Sequence, residues 1–296
     1  MPCYRPLTAY RTSTGVVFSE LSRYDVLGTI ELPCGQCIGC RMRRASDWEL
    51  RVMHEASMWE QNCFVTLTYG RDCLPENGSL DYRDFQLFMK RLRDSFRGRR
   101  IRFYMCGEYG EAGGRPHYHA CLFNVDFDDK VPAGKSKGGE VYYDSKRLSR
   151  LWGHGIVSVQ PLVRETAGYC ARYIMKKALG EAAKTAHEFT TADGEILQRK
   201  SEFAVMSLRP GIGAGWFERF AGDVFPLDSV VADGVKRPVP KYYDRLAKRK
   251  KFDRDALEFA REQRAKAHAA DNTVERRAVR EKVHLAKVRD LKRDSV

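Results

Sequence analysis

The chain has 296 residues, of which 43% are hydrophobic and 31% are charged, and it carries a formal net charge of +13. This composition supports a packed core in one large domain, or in one domain with an appendage. It excludes a membrane-spanning helix, because no run of about 18 apolar residues occurs. The basic excess favours a polyanionic partner, nucleic acid first and an anionic membrane second, with a general solubilising charge as the alternative. The N-terminus lacks the charged-then-apolar layout of a secretory signal, so we expect a protein of the cytoplasm.

Two amphipathic helices and a strand are predicted in the first third of the chain. Residues 1–33 are predicted to be irregular, with short β-like pieces. Residues 41–60 and 81–96 carry apolar stripes at spacings of three and four, which predict helices, and CFVTLTY (63–69) between them is typical of a strand. The stripe residues that we expect to be buried are Trp48, Val52, Ala56 and Trp59 in the first helix and Phe85, Phe88, Met89 and Leu92 in the second.

Nine cysteines are present, and in a reducing cytosol metal ligands or core residues are expected rather than disulfides. The segment PCGQCIGC (33–40) contains a CxxCxxC pattern, and three thiolates at this spacing favour a soft metal, most simply a structural Zn²⁺ with a fourth ligand. An iron–sulfur cluster and a loop of free thiols are the alternatives. The candidate zinc ligands are Cys3, Cys34, Cys37 and Cys40, with Cys63 and Cys73 as substitutes for Cys3, whereas Cys106, Cys121 and Cys170 are expected to pack in the core.

The middle of the chain is predicted to contain a β-hairpin followed by alternating elements. IRFYMCGEYG (101–110) and HYHACLFNV (117–125) both favour strands, and the tight connection between them predicts that they pair. The later elements are a polar loop at 126–140, a short helix at 145–153 ended by Gly153, a strand at 155–162, and a helix at 164–180 ended by Gly180.

The remainder of the chain is predicted to be irregular to about residue 240 and then to form a basic tail. Residues 236–296 contain 20 Lys and Arg against 10 Asp and Glu, with few large apolar side chains. This composition favours an extended, weakly packed helix or a partly disordered segment. We expect the tail to contact nucleic-acid phosphates, and a solubilising helix is the alternative.

The order of elements predicts an α+β fold in which helices pack against an antiparallel sheet, with a ferredoxin-like or RRM-like core and the basic helical tail appended. We divide the chain into three segments. Residues 1–62 hold the cysteine segment and the first helix, residues 63–210 form the core, and residues 211–296 form the tail.

The hairpin carries a candidate metal site. Residues two apart in a strand point to the same side, so His117 and His119 share a face and Tyr118 points to the other. Two neutral imidazoles on one face begin a divalent metal site, although two ordinary histidines also fit this pattern. A carboxylate would suit Mg²⁺ or Mn²⁺, and pairing can bring Glu108 opposite the histidines, with Glu111 as the fallback. An exposed acid at the hairpin end is the alternative.

A second group of candidate functional residues lies on the predicted helix at 164–180. Tyr169 and Tyr173 are four residues apart, and Lys176 follows close to the same line, so two hydroxyls and an ammonium share one stripe. A phenol has a pKa of about 10, and nearby cations favour its ionised, nucleophilic form. Aromatic residues at this spacing more often belong to a core, but the cations around this stripe favour contact with phosphate. The residues that we expect to contact DNA are Arg115, Arg172 and Lys177.

Together these groups predict a transesterification on DNA. A metal held by the histidines would polarise a phosphate as a Lewis acid, and an attacking tyrosine would cut the strand and retain a phosphotyrosine link. The second tyrosine, one helical turn away, could make the next attack while the first holds DNA.

At this point three motifs in the same order resemble the HUH endonucleases, in particular the replication-initiation proteins of small single-stranded-DNA phages of the microvirus, gokushovirus-like group. They are FVTLTY (64–69), RPHYHACLF (115–123) and YCARYIMKK (169–177), and the segment PCGQCIGCRMRRASDWELR (33–51) is also similar to the N-terminal part of these phage proteins. The resemblance covers about residues 1–180.

The resemblance implies a ferredoxin/RRM-like sheet, a Mg²⁺ or Mn²⁺ ion, and rolling-circle replication from a single-stranded viral origin through a 5′-phosphotyrosine intermediate. It also implies recruitment of the host helicase and polymerase in the cytoplasm of a bacterial cell, with no membrane. The implied roles are metal ligation for His117 and His119, nucleophilic attack for Tyr169 and Tyr173, and charge stabilisation for Lys176. The family often has a lysine where this chain has Arg172, and no Walker-type motif is present for a helicase domain.

Two other functions fit the same motifs. The first is a non-catalytic, zinc-containing nucleic-acid binding protein, in which the histidine pair is incidental. The second is a related tyrosine transposase or relaxase. Covalent chemistry separates the first alternative from the nicking enzyme, and the presence of two tyrosines favours replication over transposition.

Overall fold

A computed structural model describes the chain over residues 3–19, 25–110, 114–136, 139–176, 187–190 and 193–289, without the side chains of 173–176 and 289. The chain forms two compact units. The first joins residues up to 44 with residues from 258 to 293, and the second spans residues 45–257. The three segments predicted from the sequence stay a prediction, because compactness does not test which parts fold independently. None of the described helices combines the length and the apolar character that a bilayer crossing requires.

The described residues form strands and helices along the whole chain. The strands are β1 (Leu7–Thr12), β2 (Gly15–Val17), β3 (Val26–Leu32), β4 (Asn62–Tyr69), β5 (Arg102–Tyr109), β6 (Pro116–Phe123), β7 (Val131–Lys135), β8 (Val141–Asp144), β9 (Gly155–Pro161), β10 (Glu188–Thr190), β11 (Ile196–Gln198), β12 (Phe203–Met206), β13 (Ser229–Ala232) and β14 (Val235–Pro238). The helices are α1 (Ile38–Ala56), α2 (Tyr82–Ser95), α3 (Lys146–Trp152), α4 (Arg164–Lys176), α5 (Ala214–Leu227), α6 (Lys241–Arg249), α7 (Asp255–Ala267) and α8 (Val274–Arg289). The α+β class predicted from the sequence is confirmed.

The first unit contains a three-stranded antiparallel sheet in the order β2-β1-β3. The prediction that residues 1–33 are irregular with short β-like pieces is therefore wrong for β1 and β3, whereas β2 lies within one of the β-like pieces, TGVVF (14–18). Of the residues in these strands, only Ala9 and Thr12 are buried, so the segment lacks the apolar alternation from which a strand can be recognised. Backbone pairing, which leaves no such pattern in the sequence, forms this sheet.

The second unit is built on a seven-stranded antiparallel sheet in the order β12-β5-β6-β4-β9-β8-β7. The predicted hairpin is confirmed, because β5 pairs with β6 in antiparallel register. The polar loop predicted at 126–140 is wrong for residues 131–135, which form β7 and extend the sheet. Strand β12 lies in a region predicted to be irregular. The side chains of β7 are mostly exposed, which explains why no strand pattern was visible there.

Each face of this sheet is covered by a pair of helices, and in each pair one helix carries an apolar stripe that the sequence predicts. Helices α2 and α3 cover one face, where all four predicted residues of the second stripe are buried, and α1 and α4 pack on the other. Local signals set the helix ends: the Asp81 side chain accepts the Arg83 N–H at the start of α2, and Gly153 adopts φ 72° after α3. The predicted end of α4 at Gly180 lies outside the described residues. Of the first-stripe residues, Val52 and Ala56 are buried on the α1 face, whereas Trp48 and Trp59 pack there only partly buried, and Trp59 lies beyond the end of α1.

A third apolar cluster lies in the region predicted to be irregular and in the start of the predicted tail. Phe217 of α5 packs against Tyr243 of α6, and both side chains are fully buried, as is Ala247. The tail prediction is therefore wrong for α6. It fits α7 better, because that helix buries none of its residues.

Candidate active site

The hairpin of β5 and β6 brings three potential metal ligands to one face of the sheet. Glu108 pairs directly with His117, and His119 lies two residues further along the same strand. One ligand atom from each lies within 4.8 Å of those of the other two. Tyr118 points to the opposite face, as strand alternation predicts, and its buried hydroxyl donates a hydrogen bond to the Asp81 carbonyl.

Both imidazoles direct Nε2 at the same carboxylate oxygen. Nε2 of His117 lies 2.8 Å from Oε1 of Glu108, and Nε2 of His119 lies 2.9 Å from it. Nδ1 of His117 donates to the Arg115 carbonyl at 3.0 Å, and Nδ1 of His119 lies 3.0 Å from the Thr66 hydroxyl. These contacts at Nδ1 orient both rings so that Nε2 faces the Glu108 oxygen, and an imidazole that has lost its Nε2 proton in this orientation can present that lone pair to a cation.

Glu108 is a buried carboxylate that stays ionised. Its exposed fraction is 1%. Burial by itself raises the pKa of Glu108, but hydrogen bonds from His117 and His119 and their positive charge outweigh it and lower the pKa to about 2. A buried negative charge requires paired cations or a metal ion, so this position favours the binding of a divalent cation.

Helix α4 places Tyr169 next to this group. The Tyr169 hydroxyl donates a hydrogen bond to Oε1 of Glu108 at 3.1 Å, and its ring centroid lies 4.9 Å from that of His119. Ala167 and Cys170 are buried on the same helix, and their packing against the sheet fixes which residues of α4 face the histidines. The phenolic oxygen and both Nε2 atoms therefore meet at one carboxylate oxygen.

Several predicted site residues fall partly or wholly outside the described structure. Tyr173 and Lys176 belong to α4, but their side chains are not described, and Lys177 and Glu111 lie outside the described residues. Arg115 is half-buried two residues before His117, and Arg172 is exposed on α4.

Sequence reasoning missed two features beside the histidines. Thr66 of β4 lies opposite His119 in the register, and the alternation of FVTLTY could have placed its hydroxyl on the histidine face. A groove of about 280 Å³ opens on the same side. Part of the groove's lining comes from β7 and β8, two strands that the sequence did not predict. Its lining residues are Thr66, Thr68, Ala133, Tyr142, Asp144, Ile156, Val157 and Ser158.

The first unit gathers four cysteines into a second group. Sγ of Cys3 lies 3.5 Å from that of Cys34 and 3.8 Å from that of Cys37, and the four sulfurs, with Cys40, lie within 4.8 Å of one another. The two suggested substitutes for Cys3 are elsewhere, since Cys63 is buried in the core of the second unit and Cys73 is exposed there. The cysteines expected in the core are all buried: Cys106, Cys121 and Cys170.

The ionisation of the cysteine group is uneven. Burial raises the pKa of Cys37, but hydrogen bonds from the backbone N–H groups of Tyr4 and Cys40 lower it to about 7. Burial together with the neighbouring Cys3 and Cys37 sulfurs raises the pKa of Cys40 to about 12. Successive negative charges in so small a space repel one another, so full deprotonation requires a bound cation.

Comparison with known proteins relates the chain to phage replication. The family model of the replication-associated protein ORF2/G2P matches residues 62–178, a range that includes the histidine pair and both tyrosines. Replication-associated protein VP4 of Bdellovibrio phage phiMH2K is 32% identical over 252 residues, which are 82% of this chain and 76% of the relative. Replication-associated protein ORF2 of Spiroplasma virus 4 is 33% identical over 296 residues, 90% of this chain and 86% of the relative.

A more distant relative is replication-associated protein ORF4 of Chlamydia phage 1. It is 28% identical over 245 residues, which are 78% of this chain and 59% of the relative. No solved structure matches the chain.

Proposed function

The chain belongs to the family of replication-associated proteins of single-stranded-DNA phages, and on that premise we propose that it nicks and rejoins single-stranded DNA to start and end rolling-circle replication. One observation carries the proposal. The Tyr169 hydroxyl and Nε2 of both His117 and His119 lie within 3.1 Å of the same oxygen of Glu108. A nucleophile and a metal-binding group that meet in this way can act on one phosphodiester.

We assign Mg²⁺ or Mn²⁺ to Glu108, His117 and His119. Two imidazole nitrogens and one carboxylate oxygen are acceptable ligands for these ions, and three protein ligands leave coordination positions for phosphate oxygens. When bound there, the ion supplies Lewis-acid polarisation of the scissile phosphate. The hydrogen bonds to Arg115 and Thr66 hold the imidazoles in place.

The Tyr169 hydroxyl contacts this group, and its attack leaves the chain covalently attached to DNA. Its phenolic oxygen forms a bond to phosphorus as the bond from phosphorus to the 3′ oxygen breaks. The phenol loses one proton, and the leaving 3′ oxygen takes up one. The product is a 5′-phosphotyrosine and a free 3′-hydroxyl, so a later attack by a hydroxyl can reseal the strand without an external energy source.

Tyr173 follows one helical turn later on the same helix, which suits it to make the second attack. Lys176 stabilises the charge on the phosphate in this scheme, and Arg115, Arg172 and Lys177 contact the flanking DNA. The exposed basic residues of the C-terminal helices add salt-dependent, sequence-independent affinity for phosphates.

The strand order supports a ferredoxin-like core. Four strands and two helices follow the β-α-β-β-α-β order of that core: β4, α2, β5, β6, α3 and β9, with β7 and β8 inserted between β6 and α3. In the sheet these four strands lie in the order β9-β4-β6-β5, which is fourth-first-third-second along the chain. The histidines then lie on a central strand of that core, and α4 follows its last strand. This arrangement is the one implied by the resemblance to HUH endonucleases.

The partners in this function are a single-stranded viral origin and the host helicase and polymerase, in the cytoplasm of the bacterial host. We assign a separate, structural Zn²⁺ to Cys3, Cys34, Cys37 and Cys40, since four thiolates form a closed site without positions for a substrate.

A covalent-adduct assay tests the nicking function. The protein is incubated with Mn²⁺ and labelled oligonucleotides that together cover the single-stranded genome encoding it, and denaturant-resistant adducts are counted. We expect an adduct with the wild type and with Tyr10→Phe, a control in β1 of the first unit. Tyr169→Phe combined with Tyr173→Phe should abolish the adduct while DNA binding persists.

The outcomes separate the alternatives. An adduct in the double variant would refute the assignment of both nucleophiles. Binding by the wild type without any adduct would favour the non-catalytic nucleic-acid binding protein. The two single tyrosine variants show which phenol attacks first.

A further inference from the structure

Tyr4 of the N-terminal segment connects the cysteine group to the C-terminal helix α8. The backbone N–H of Tyr4 donates to Sγ of Cys37 at 3.4 Å. At its other end, the Tyr4 hydroxyl lies 3.0 Å from Nδ1 of His284 on α8, and the two rings meet edge to face at 5.8 Å. Tyr4 therefore contacts the proposed metal group with its backbone and α8 with its side chain.

Two ion pairs join the same helix to the N-terminal segment, with unequal strength. Arg277 makes a bidentate contact with Glu31 of β3, at 2.7 and 3.1 Å, and its own side chain is buried. Arg5 contacts Glu281 at 3.1 Å, but the Arg5 side chain is 75% exposed, so solvent screens this pair. The attachment of α8 therefore depends mainly on Tyr4 and on the pair formed by Arg277.

The sulfur geometry fits a tetrahedral zinc ion. Four sulfurs that each lie about 2.3 Å from a central Zn²⁺ are about 3.8 Å apart. The distances from the Cys3 sulfur are 3.5 Å to that of Cys34 and 3.8 Å to that of Cys37. Backbone N–H groups also point at the sulfurs, because Cys34 donates to Cys3, and both Gln36 and Cys37 donate to Cys34, as is expected around thiolates.

The first unit has little other means of holding residues 3–5 in position. In its three strands only Ala9 and Thr12 are buried, so the sheet removes little apolar surface from water. Small regions with so little core depend on a metal or another cross-link for their order. A metal that fixes Cys3 also fixes the neighbouring Tyr4.

We propose that Zn²⁺ binding by the four cysteines positions Tyr4 and thereby fastens α8 in the first unit. The proposal rests on the zinc assignment made above and does not depend on DNA nicking. With the ion bound, α8 is ordered and presents Arg276, Lys282 and Lys287 to solvent as a fixed basic surface. Without it, α8 loses the contact through Tyr4 and keeps its ion pair between Arg277 and Glu31.

Metal content tests the first half of the proposal. Elemental analysis should find one Zn²⁺ per chain in the wild type, in the Cys73→Ser control, and in a His117→Ala, His119→Ala variant that removes the other metal-binding group. Cys37→Ser should lose it. Full zinc content in Cys37→Ser, or iron and sulfide in place of zinc, would overturn the assignment.

Hydrogen–deuterium exchange of the full chain tests the second half. Removal of Zn²⁺ with a chelator should raise exchange across residues 274–289 by about tenfold or more, and added Zn²⁺ should restore protection. Tyr4→Phe keeps all four thiols, so it should retain zinc and raise exchange in α8 by about threefold to tenfold through loss of one hydrogen bond. Tyr10→Phe should change neither quantity.

The two parts of the proposal, the zinc site and the attachment of α8, can be refuted independently. Unchanged protection of α8 after zinc has been removed would overturn the attachment while leaving the zinc site intact. Both readouts are independent of DNA cleavage, so neither result bears on the adduct assay.

Discussion

The two groups of potential metal ligands lie in regions with different kinds of support. Glu108, His117 and His119 project from β5 and β6, and every residue of β6 except His117 is buried. The four cysteines lie in the first unit, whose strands bury two residues. The hairpin site is therefore positioned by a packed core, whereas the cysteine group lies in a region with little core, whose order we have proposed to depend on zinc.

The two ligand groups also differ in whether they leave room for a substrate on a bound metal ion. A carboxylate and two imidazoles leave coordination positions open for a substrate, and four thiolates do not. Loss of metal should therefore abolish chemistry in the second unit without unfolding it, and unfold part of the first unit without a direct effect on chemistry. Four experiments probe the hairpin site, the core of the second unit and the C-terminal helices of the first, from the largest expected effect to the smallest.

His117→Ala should lower nicking by about a thousandfold, because Lewis-acid stabilisation is worth several kcal/mol and about 4 kcal/mol corresponds to that factor. The His117 side chain is partly exposed, so the unfolding temperature should change little. Single-turnover cleavage and thermal unfolding measure the two effects. A large drop in unfolding temperature would show that the hairpin site supports the fold after all.

Acid should destabilise the core of the second unit through His54. Burial lowers the pKa of His54 to about 4, and its ring is stacked on Trp216 and bonded to the Tyr243 hydroxyl at 2.8 Å. Because the folded pKa lies below the unfolded value of about 6.5, this stability is full above about pH 6.5 and is lost as the pH falls towards 4.

Between pH 7 and pH 4.5 the loss from His54 should be about 2.5 kcal/mol in the free energy of unfolding. Urea unfolding at both pH values measures it, with His54→Gln as the comparison, since that variant lacks the titrating group. An equal pH dependence in both proteins would assign the acid effect to other residues.

Thr66→Val should lower nicking by about tenfold to a hundredfold, because it removes the oxygen beside Nδ1 of His119 without changing the size of the side chain. The affinity for Mn²⁺ should fall in parallel. Thr66→Ser restores the hydroxyl and should recover most of the activity. If Thr66→Ser and Thr66→Val behave alike, the methyl group and its packing are responsible.

The smallest effects should come from the exposed lysines of α7 and α8. Replacement of Lys266, Lys282 and Lys287 by Gln should weaken binding of single-stranded DNA nearly equally for all sequences. It should also reduce the slope of log affinity against log salt by about one for each phosphate that is no longer neutralised. Binding measured over a range of salt concentrations tests this, and an unchanged slope would assign the three lysines a solubilising role.

Much of the second unit could be predicted because the side chains of several of its strands and helices follow a regular period. The period of two in β6 separated Tyr118 from His117 and His119, and the tight connection before it predicted the pairing that brings Glu108 opposite His117. The stripes of α1 and α2 likewise identified the residues that cover the sheet.

Three of the missed strands lack such a pattern. The strands β1, β3 and β7 expose half or more of their side chains, so no alternation of buried and exposed residues marks them. Helix α5 is different, because it carries an apolar stripe that includes Phe217, and its burial against Tyr243 depends on a contact between residues distant in the chain.

The sequence by itself determined which chemical groups are available and on which side of their own strand or helix they lie, because these follow from local periodicity. Only the tertiary structure decided that Cys3, rather than Cys63 or Cys73, completes the cysteine group, and that the Tyr169 hydroxyl reaches Glu108 from a different element. Both choices depend on long-range packing, which sets distances between residues that no local pattern relates.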